Sequence, residues 1–283
     1  MRIAVTGAAG QVGPFVLDEL LRHGHEPVAI DLRPGGDDRA EWVTADVEDV
    51  EALAAAFAGC RAVVHLAAIR APGLAPPEVT FRVNAHGTIC ALEAGVRAGA
   101  TRFVLASSDS ALGFCFRTRD DAPDYLPLDE DHPARPQDCY GVSKLAAEEV
   151  CRSYARSGAI TTVCLRTCDV WFRERPDALE VLADERREYR GLWVYAHAHD
   201  VARAYRLACE AEGIEHETLF ISARDTETPR PTAELLRKFY PGVPVRAPLH
   251  GHAAVVSGAR ARERLGFVPE LSWRDEVDPG SFT

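Results

Sequence analysis

A glycine-rich segment between an apolar strand and an amphipathic helix constrains this chain more than any other feature of its sequence. The segment TGAAGQVG at residues 6–13 follows the apolar run Arg2–Thr6 and leads into a helical periodicity over Val12–His23. In a β-α-β unit, the first glycine permits a tight turn, the second lets backbone approach a pyrophosphate, and the third lets helix and strand pack closely. The helix N-terminus then offers free N–H groups to the anion. The segment therefore predicts a dinucleotide-binding loop formed by Gly7, Gly10, Gln11, Val12 and Gly13.

The first half of the chain continues to alternate short apolar runs with helical periodicity. It predicts strands at Pro27–Asp31, Glu41–Ala45, Arg61–Leu66 and Arg102–Ser107, and one long helix at Glu78–Ala98. This alternation indicates β-α-β units, and nearly continuous apolar strands indicate a parallel sheet that is covered on both faces. We therefore predict an α/β fold of the Rossmann type, a doubly wound parallel sheet with a small C-terminal substrate lobe.

Asp31 ends the second predicted strand, in the place where dinucleotide-binding folds carry an acidic residue. A carboxylate there accepts hydrogen bonds from the ribose hydroxyls of adenosine. It also repels a 2′-phosphate, so the sequence favours NAD over NADP. Arg33, two residues further on, could counter that repulsion.

Tyr140 and Lys144 are four residues apart in a predicted helix, which places them on one helix face. Because a lysine ammonium beside a phenol favours the phenolate, we expect Lys144 to lower the pKa of Tyr140 from its usual value of about 10. Such a phenol can take a proton from a substrate hydroxyl. Ser107 and Ser108 end the fifth predicted strand, at the sheet edge where open α/β folds bind ligands. Ser108, Tyr140 and Lys144 are therefore the predicted catalytic residues.

The helical pattern becomes weaker after a strand predicted at Ile160–Arg166. We expect residues 1–165 to form the NAD-binding domain together with the helix that carries Tyr140 and Lys144. Residues 166–283 are expected to be a mixed region that completes the sheet and forms the small substrate lobe.

Composition and charge argue against several classes of protein. The net charge is −11 and no basic run is present, so we expect no nucleic-acid partner. The longest apolar runs are strand-sized, which predicts no membrane segment. Because the first strand begins at Arg2, we expect no secretory signal and a cytoplasmic protein. The eight cysteines are scattered, and His197 and His199 would point to opposite sides of an extended stretch. These patterns predict reduced thiols and no metal site.

Taken in order, the motifs resemble those of the extended short-chain dehydrogenases/reductases, the NAD-dependent epimerase/dehydratase family. The resemblance covers roughly residues 1–170 and is carried by TGAAGQVG at 6–13, Asp31, ADV at 45–47, HLAA at 65–68, Asn84 with Gly87-Thr88, Ser107-Ser108 and YGVSK at 140–144. It implies NAD as cofactor and a homodimer formed through two helices, one of which carries Tyr140.

The resemblance also implies roles for single residues. Tyr140 would be the acid/base, Lys144 would also hold the nicotinamide ribose, and Ser108 would polarise the substrate oxygen. Asp46 and Val47 would lie beside the adenine. The other implied contacts around the cofactor are Leu66, Ala67, Ala68, Asn84, Ser107 and Cys168.

The chain departs from many relatives in the segment LRTCDVWFR at residues 165–173, where a proline and a glycine are absent. Sugar-nucleotide dehydratases of the family carry Asp-Glu after the catalytic Ser or Thr, whereas Asp109 is followed here by Ser110, which argues against dehydration. The chain length is close to that of the uronate dehydrogenases, which oxidise a free sugar acid. The resemblance implies that Ser108, Asp109 and Arg166 contact the substrate. Further candidate counter-charges for a carboxylate are Arg70, Arg117 and Arg173.

Three functions remain open at this point. The first is an NAD-dependent oxidoreductase that oxidises a secondary alcohol, or reduces a ketone, of a small polyhydroxy substrate such as a sugar or sugar acid. The second is a sugar-nucleotide epimerase that uses bound NAD. The third is a cofactor-sensing or catalytically repurposed protein on the same fold, because fold alone does not fix function.

Overall fold

The computed structural model describes residues 1–33, 35–175, 178–184 and 189–278. The strands are β1 (Arg2–Thr6), β2 (Glu26–Asp31), β3 (Glu41–Thr44), β4 (Ala62–His65), β5 (Arg102–Ser108), β6 (Thr161–Thr167), β7 (Asp169–Trp171), β8 (Tyr195–His197) and β9 (His216–Ile221). The α-helices are α1 (Gly13–Arg22), α2 (Val50–Ala56), α3 (Pro77–Phe81), α4 (Gly87–Arg97), α5 (Cys139–Arg156), α6 (Ala178–Ala183), α7 (Ala198–Glu210), α8 (Thr232–Phe239) and α9 (Ala259–Leu265).

Seven strands form one parallel sheet in the order β3-β2-β1-β4-β5-β6-β9. Successive side chains of a strand point to opposite faces, and both faces are covered. Val5 and Val64 pack with α1 and α7 on one face, whereas Ala4 and Val63 pack with α2 and α4 on the other. The predicted doubly wound Rossmann-type fold is therefore confirmed.

The strand order reverses between β1 and β4, because the chain runs outward from β1 to β3 and then returns to the other side of β1. In such sheets the crevice at the carboxyl ends of these two strands is the place where ligands bind. Gly7 leaves β1 with φ +70°, and a Cβ on it would lie 2.5 Å from the backbone nitrogen of Ala67. The glycine therefore allows the loops after β1 and β4 to approach each other closely.

The C-terminal part of the chain adds β9 to the sheet and builds a further layer beyond its carboxyl edge. β7 and β8 form a separate two-stranded parallel sheet. The loop after β5 joins this layer through single bridges from Leu126 to Val245 and from Leu128 to Val256. Residues from both parts of the chain share one apolar cluster that includes Leu126, Trp193 and Phe220.

Two expectations about local structure are wrong. The helix predicted over Glu78–Ala98 is divided into α3, a π-helical turn at Arg82–His86 and α4. His199 lies in α7, and its ring stacks on that of His197 with centroids 5.6 Å apart instead of pointing away. His197 binds Glu276 at 2.8 Å, and the described residues contain no group of three or more His, Cys, Asp or Glu side chains that could hold a metal ion.

None of the helices in the described ranges is long and apolar enough to cross a membrane.

Candidate active site

A cavity of about 510 Å³ opens at the carboxyl edge of the sheet. It brings together most of the residues predicted from the sequence, namely Gly7, Gly10, Gln11, Val12, Gly13, Leu66, Ala68, Ser107, Ser108, Asp109, Tyr140, Lys144 and Cys168. The predicted residues outside its lining are Asp31, Asp46, Val47, Ala67, Asn84 and Arg166. The glycine loop and the catalytic candidates thus share one space.

The glycine loop closes tightly on itself and on α1. The Gly10 amide donates to the Gly7 carbonyl at 3.0 Å, and a Cβ on Gly13 would lie 2.1 Å from the carbonyl oxygen of Ala8. No side chain caps the N-terminus of α1. Pro14 has no N–H, so the amides of Gly13 and Phe15 are those that this first turn can offer to an anion in the cavity.

Asp31 supports the glycine loop from the end of β2. Its carboxylate accepts hydrogen bonds from the Ala9 amide at 3.0 Å and from the Arg33 amide at 3.3 Å. Asp46 accepts from the Glu48 amide at 3.0 Å, and Val47 packs beside Gly87 at the start of α4. The contacts of Asp46 and Val47 with the adenine stay predictions.

Tyr140 and Lys144 lie in the first two turns of α5, whose N-terminus is capped by Asp138 accepting from the Gly141 amide at 2.9 Å. Both side chains are buried. The Lys144 ammonium donates to the Ala106 carbonyl on β5 at 2.7 Å and lies 5.7 Å from the centroid of the Tyr140 ring. The α5 helix therefore holds both residues against the end of β5, where Ser108 is located.

The expected lowering of the pKa of Tyr140 is wrong for this structure. Burial is the largest influence and raises the pKa of Tyr140 above its usual value, while a hydrogen bond with Ser108 acts in the opposite direction. Burial also lowers the pKa of Lys144 to about 8, opposed by the charge of Glu148 one helical turn further on. The surrounding protein thus favours the neutral phenol.

Asn84 lies in the π-helical turn and ties three segments together. Its side-chain oxygen accepts from the Ile69 amide at 2.8 Å, and its amide nitrogen donates to the Ile69 carbonyl and to Ser143 Oγ, both at 3.0 Å. Single π-helical turns within helices are rare and are frequently located at functional sites. Asn84 therefore fixes the loop after β4 against α5 from outside the cavity lining.

Arg166, predicted to bind substrate, is instead buried in an ion pair with Glu148 of α5. Of the other candidate counter-charges, Arg117 is buried outside the cavity lining, and Arg173 donates to the Glu276 carbonyl at 3.0 Å. Of the four arginines proposed from the sequence as counter-charges, Arg70 alone lines the cavity in the described part of the chain. Charge alone could not separate these arginines in the sequence, because a buried partner such as Glu148 is visible only in the fold.

Asp109 is partly buried beside Ser108 at the base of the cavity. Its carboxylate accepts hydrogen bonds from Ser108 Oγ at 3.1 Å and Cys115 Sγ at 3.4 Å. Burial raises the pKa of Asp109 to about 6, and the nearby charge of Asp169 adds to the effect. The side chain can therefore be neutral or charged near physiological pH.

Sequence reasoning missed several residues that line the cavity, including Phe116, Arg175 and Arg190. The Phe116 ring contacts the Tyr140 ring edge-on, with centroids 5.9 Å apart. These residues come from loops, whose residues carry no periodic pattern that would mark them in the sequence.

Residues 3–177 match the sequence model of the NAD dependent epimerase/dehydratase family. The chain belongs to this family. The protein is thus an NAD-dependent enzyme of the short-chain dehydrogenase/reductase and epimerase kind.

Three similar proteins illustrate this relationship. An L-arabinose 1-dehydrogenase (NAD(P)(+)) of Haloferax volcanii is 35% identical over 74% of this chain and 83% of its own length. A UDP-glucose 4-epimerase of Corynebacterium glutamicum is 26% identical over 95% of this chain and 91% of its own. The crystal structure of a short-chain dehydrogenase/reductase superfamily protein from Agrobacterium tumefaciens with bound NAD superimposes with a TM-score of 0.74 at 28% identity, covering 100% of this chain and 96% of that chain.

The residues around the cavity fit NAD. The close approaches at Gly7 and Gly13 leave no room for a Cβ, the N-terminus of α1 is uncapped, and Asp31 stands beside the loop. Tyr140 and Lys144 line the same cavity as that loop. These residues would hold the dinucleotide along the crevice between β1 and β4.

Proposed function

We propose that the protein is an NAD-dependent dehydrogenase that oxidises a secondary alcohol, or reduces the ketone, of a small sugar or sugar acid. The observation that carries this proposal is the meeting of Ser108, Tyr140 and Lys144 with the glycine loop in one cavity. NAD supplies the hydride acceptor, and the protein supplies orientation and proton transfer.

Each of the three residues has a distinct task in this proposal. Ser108 Oγ holds the reacting oxygen of the substrate, and the Tyr140 phenol exchanges a proton with that oxygen. Lys144 places a positive charge near the phenol, held in place by the Ala106 carbonyl. Since burial favours the neutral phenol, Tyr140 is well suited to donate a proton in the direction of ketone reduction.

A sugar acid is favoured over a neutral sugar by two of the three described arginines that line the cavity, Arg70 and Arg190. The third, Arg175, pairs with Asp169 at 2.7 Å. Neither Arg70 nor Arg190 forms an ion pair within 4 Å with any carboxylate in the described part of the chain. A guanidinium binds a carboxylate through paired hydrogen bonds, which gives orientation as well as attraction. Arg70 and Arg190 therefore provide counter-charges for a substrate carboxylate.

A sugar-nucleotide epimerase is the second candidate. It is favoured by the similarity to the UDP-glucose 4-epimerase, which extends over 95% of this chain. In that reaction, hydride leaves the substrate and returns to its other face without net reduction of NAD. Isomerised product together with NAD that stays bound through purification would support epimerisation.

The decisive experiment follows NADH absorbance while purified protein and NAD are incubated with sugars, sugar acids and polyols. Tyr140→Phe is run beside it, with Tyr154→Phe as a matched control, since Tyr154 lies on the same helix and bonds Glu93 outside the cavity. We expect turnover that falls by about 10²–10⁴-fold in Tyr140→Phe and persists in Tyr154→Phe. Absence of turnover with every compound, in protein that binds NAD, would overturn the dehydrogenase proposal. Full biological function in Tyr140→Phe would instead favour a cofactor-sensing role.

A further inference from the structure

Arg117 is a fully buried cation between the loop after β5 and the C-terminal layer, with 1% of its surface exposed. An arginine side chain has five N–H donors, and all of them are used. Nε and Nη2 donate to Asp120 at 3.2 and 3.0 Å, Nη1 donates to the carbonyls of Phe114 at 3.1 Å and Arg190 at 2.8 Å, and Nη2 also donates to the Tyr240 hydroxyl at 2.9 Å.

The contact between Arg117 and Arg190 is reciprocal. Arg117 Nη1 donates to the Arg190 carbonyl, and Arg190 Nη1 donates to the Arg117 carbonyl at 3.0 Å. Arg190 Nε also donates to the Tyr189 hydroxyl at 3.1 Å, and the Arg117 guanidinium lies 5.6 Å from the centroid of the Tyr189 ring. The cavity-lining Arg190 is therefore anchored through both its backbone and its side chain.

Arg117 is also adjacent in the chain to a second segment that lines the cavity. Phe116, its neighbour in the chain, lines the cavity and contacts Tyr140. The single guanidinium thus joins the Phe116 segment to the segment 189–191 that carries Arg190. These two segments are 73 residues apart in the chain.

An apolar side chain would fill this position at a lower cost, because a buried charge loses its hydration. The carboxylate of Asp120, which pairs with Arg117, is 64% exposed. A residue that needed only to pack between the rings of Phe114 and Tyr240 would not require five directed hydrogen bonds. The directed bonds fix backbone positions, and one of those positions is that of Arg190.

We propose that Arg117 is a positioning residue that holds Arg190 at the substrate end of the cavity, and so sets the selectivity of the enzyme for a sugar that carries a carboxylate. This inference rests on the proposed function. Arg117 acts through Arg190 and does not touch the substrate, which explains why its own charge is buried outside the cavity lining.

The Arg117→Lys variant distinguishes the positioning of Arg190 from the mere presence of a positive charge at residue 117. Lys keeps the positive charge but has three donors in place of five and lacks the planar fork. In Arg117→Lys, the carbonyl of Arg190, the carbonyl of Phe114, Tyr240 and Asp120 cannot all be bound together. The bond to the Arg190 carbonyl is then weakened or lost, which loosens the backbone that positions Arg190, while the overall charge of the protein is unchanged.

The test measures kcat/KM for a sugar acid and for the neutral sugar of the same stereochemistry in wild type, Arg117→Lys, Arg190→Ala and the double variant. We expect Arg117→Lys to lower the ratio of acid to neutral sugar by at least about tenfold, as a misplaced binding group does. The double variant should show no further loss beyond Arg190→Ala. The matched control is Arg135→Lys, because Arg135 is an exposed arginine of the same loop paired with Asp124. An equal loss for both sugars, or additive losses in the double variant, would refute action through Arg190.

Two further measurements distinguish a failure of this inference from misfolding of the variant and from a failure of the proposed function. NAD affinity, measured by quenching of tryptophan fluorescence, should be unchanged in Arg117→Lys. If the lysine variant does not fold, Arg117→Met is used in its place. Hydrogen exchange of the backbone amides at 190–194 should become faster in Arg117→Lys and not in Arg135→Lys. If the wild type oxidises no sugar, the proposed function fails while faster exchange still supports the anchoring of Arg190. Unchanged exchange would overturn the anchoring itself.

Discussion

Arg166 on β6 donates two hydrogen bonds to the carboxylate of Glu148 on α5, from Nε at 2.9 Å and from Nη2 at 2.8 Å. Ser107 Oγ donates to the same carboxylate. All three side chains are buried. The helix that carries Tyr140 and Lys144 is therefore connected to the ends of β5 and β6 by a buried ion pair, which gives Arg166 a structural task in place of the predicted contact with substrate.

Replacing Arg166 tests this task. Breaking a buried pair leaves an uncompensated charge, so we expect Arg166→Ala to lower the free energy of unfolding by about 3–5 kcal/mol. Urea denaturation followed by circular dichroism measures it, and Arg173→Ala, an exposed arginine on the segment after β7, is the control. Wild-type stability of Arg166→Ala together with an increased KM for substrate would contradict the structural role and support contact of Arg166 with the substrate.

Lys144 should reduce stability while serving activity. Its pKa is about 8 in the folded protein and about 10.5 when unfolded. Below pH 8 the lysine is charged in both states and the cost of burying the charge is fully present. Between pH 8 and 10.5 the unfolded chain binds more protons, so stability from this group rises with pH. We expect Lys144→Met to be more stable at pH 7 by on the order of 1–3 kcal/mol, with the gain vanishing near pH 10.5 and turnover lost. Thermal denaturation across pH 6–10 checks the sign.

Asp109 should make the binding of a sugar acid depend on pH. Because the pKa of Asp109 is raised to about 6, the side chain is neutral below that pH and carries a negative charge above it. A carboxylate in the cavity repels a carboxylate substrate. We expect KM for a sugar acid to increase as pH rises through about 6, and Asp109→Asn to remove that increase. The neutral sugar is the control, and an identical pH profile for both sugars would contradict the interpretation.

Gly13 should tolerate no side chain. A Cβ there would lie 2.1 Å from the Ala8 carbonyl oxygen, which is backbone and cannot rotate away. Overpacking of this kind costs about 1–3 kcal/mol, and here it displaces the glycine loop. We expect Gly13→Ala to weaken NAD binding at least about tenfold in a calorimetric titration. Gly258→Ala serves as the control because a Cβ on Gly258 would meet no atom within 4 Å. Equal NAD affinity in both variants would show that the loop can move aside.

Asp31 should determine the preference for NAD over NADP. Its carboxylate is held beside the glycine loop by the Ala9 and Arg33 amides, close to where the ribose of adenosine binds in this fold. Removing the negative charge in Asp31→Ser leaves Arg33 to attract a 2′-phosphate. We expect the ratio of kcat/KM for NADP to that for NAD to increase by about tenfold or more. Asp38→Ser, which changes an exposed acidic residue of the following loop, should leave the ratio as it is in the wild type.

The sequence by itself determined the parallel sheet and the position of the glycine loop. These features depend on local signals, namely apolar runs of strand length, helical periodicity and glycines with a fixed spacing. The spacing of Tyr140 and Lys144 likewise placed both on one face of a helix, because four residues return to the same side of α5. The position of Ser108 at the end of β5 followed from where the apolar strand stops.

Only the tertiary structure decided the electrostatics of the site. The sequence does not distinguish Arg117, Arg166 and Arg190. In the fold, Arg117 binds the Arg190 carbonyl, Arg166 forms a buried ion pair with Glu148, and Arg190 lines the cavity. Their roles depend on partners that are distant in the chain, such as Glu148 at 18 residues from Arg166 and Arg190 at 73 residues from Arg117. The raised pKa of Tyr140 has the same origin, since burial is produced by packing between distant segments. A charge acquires its effect from what surrounds it, and that surrounding exists only after the chain has folded.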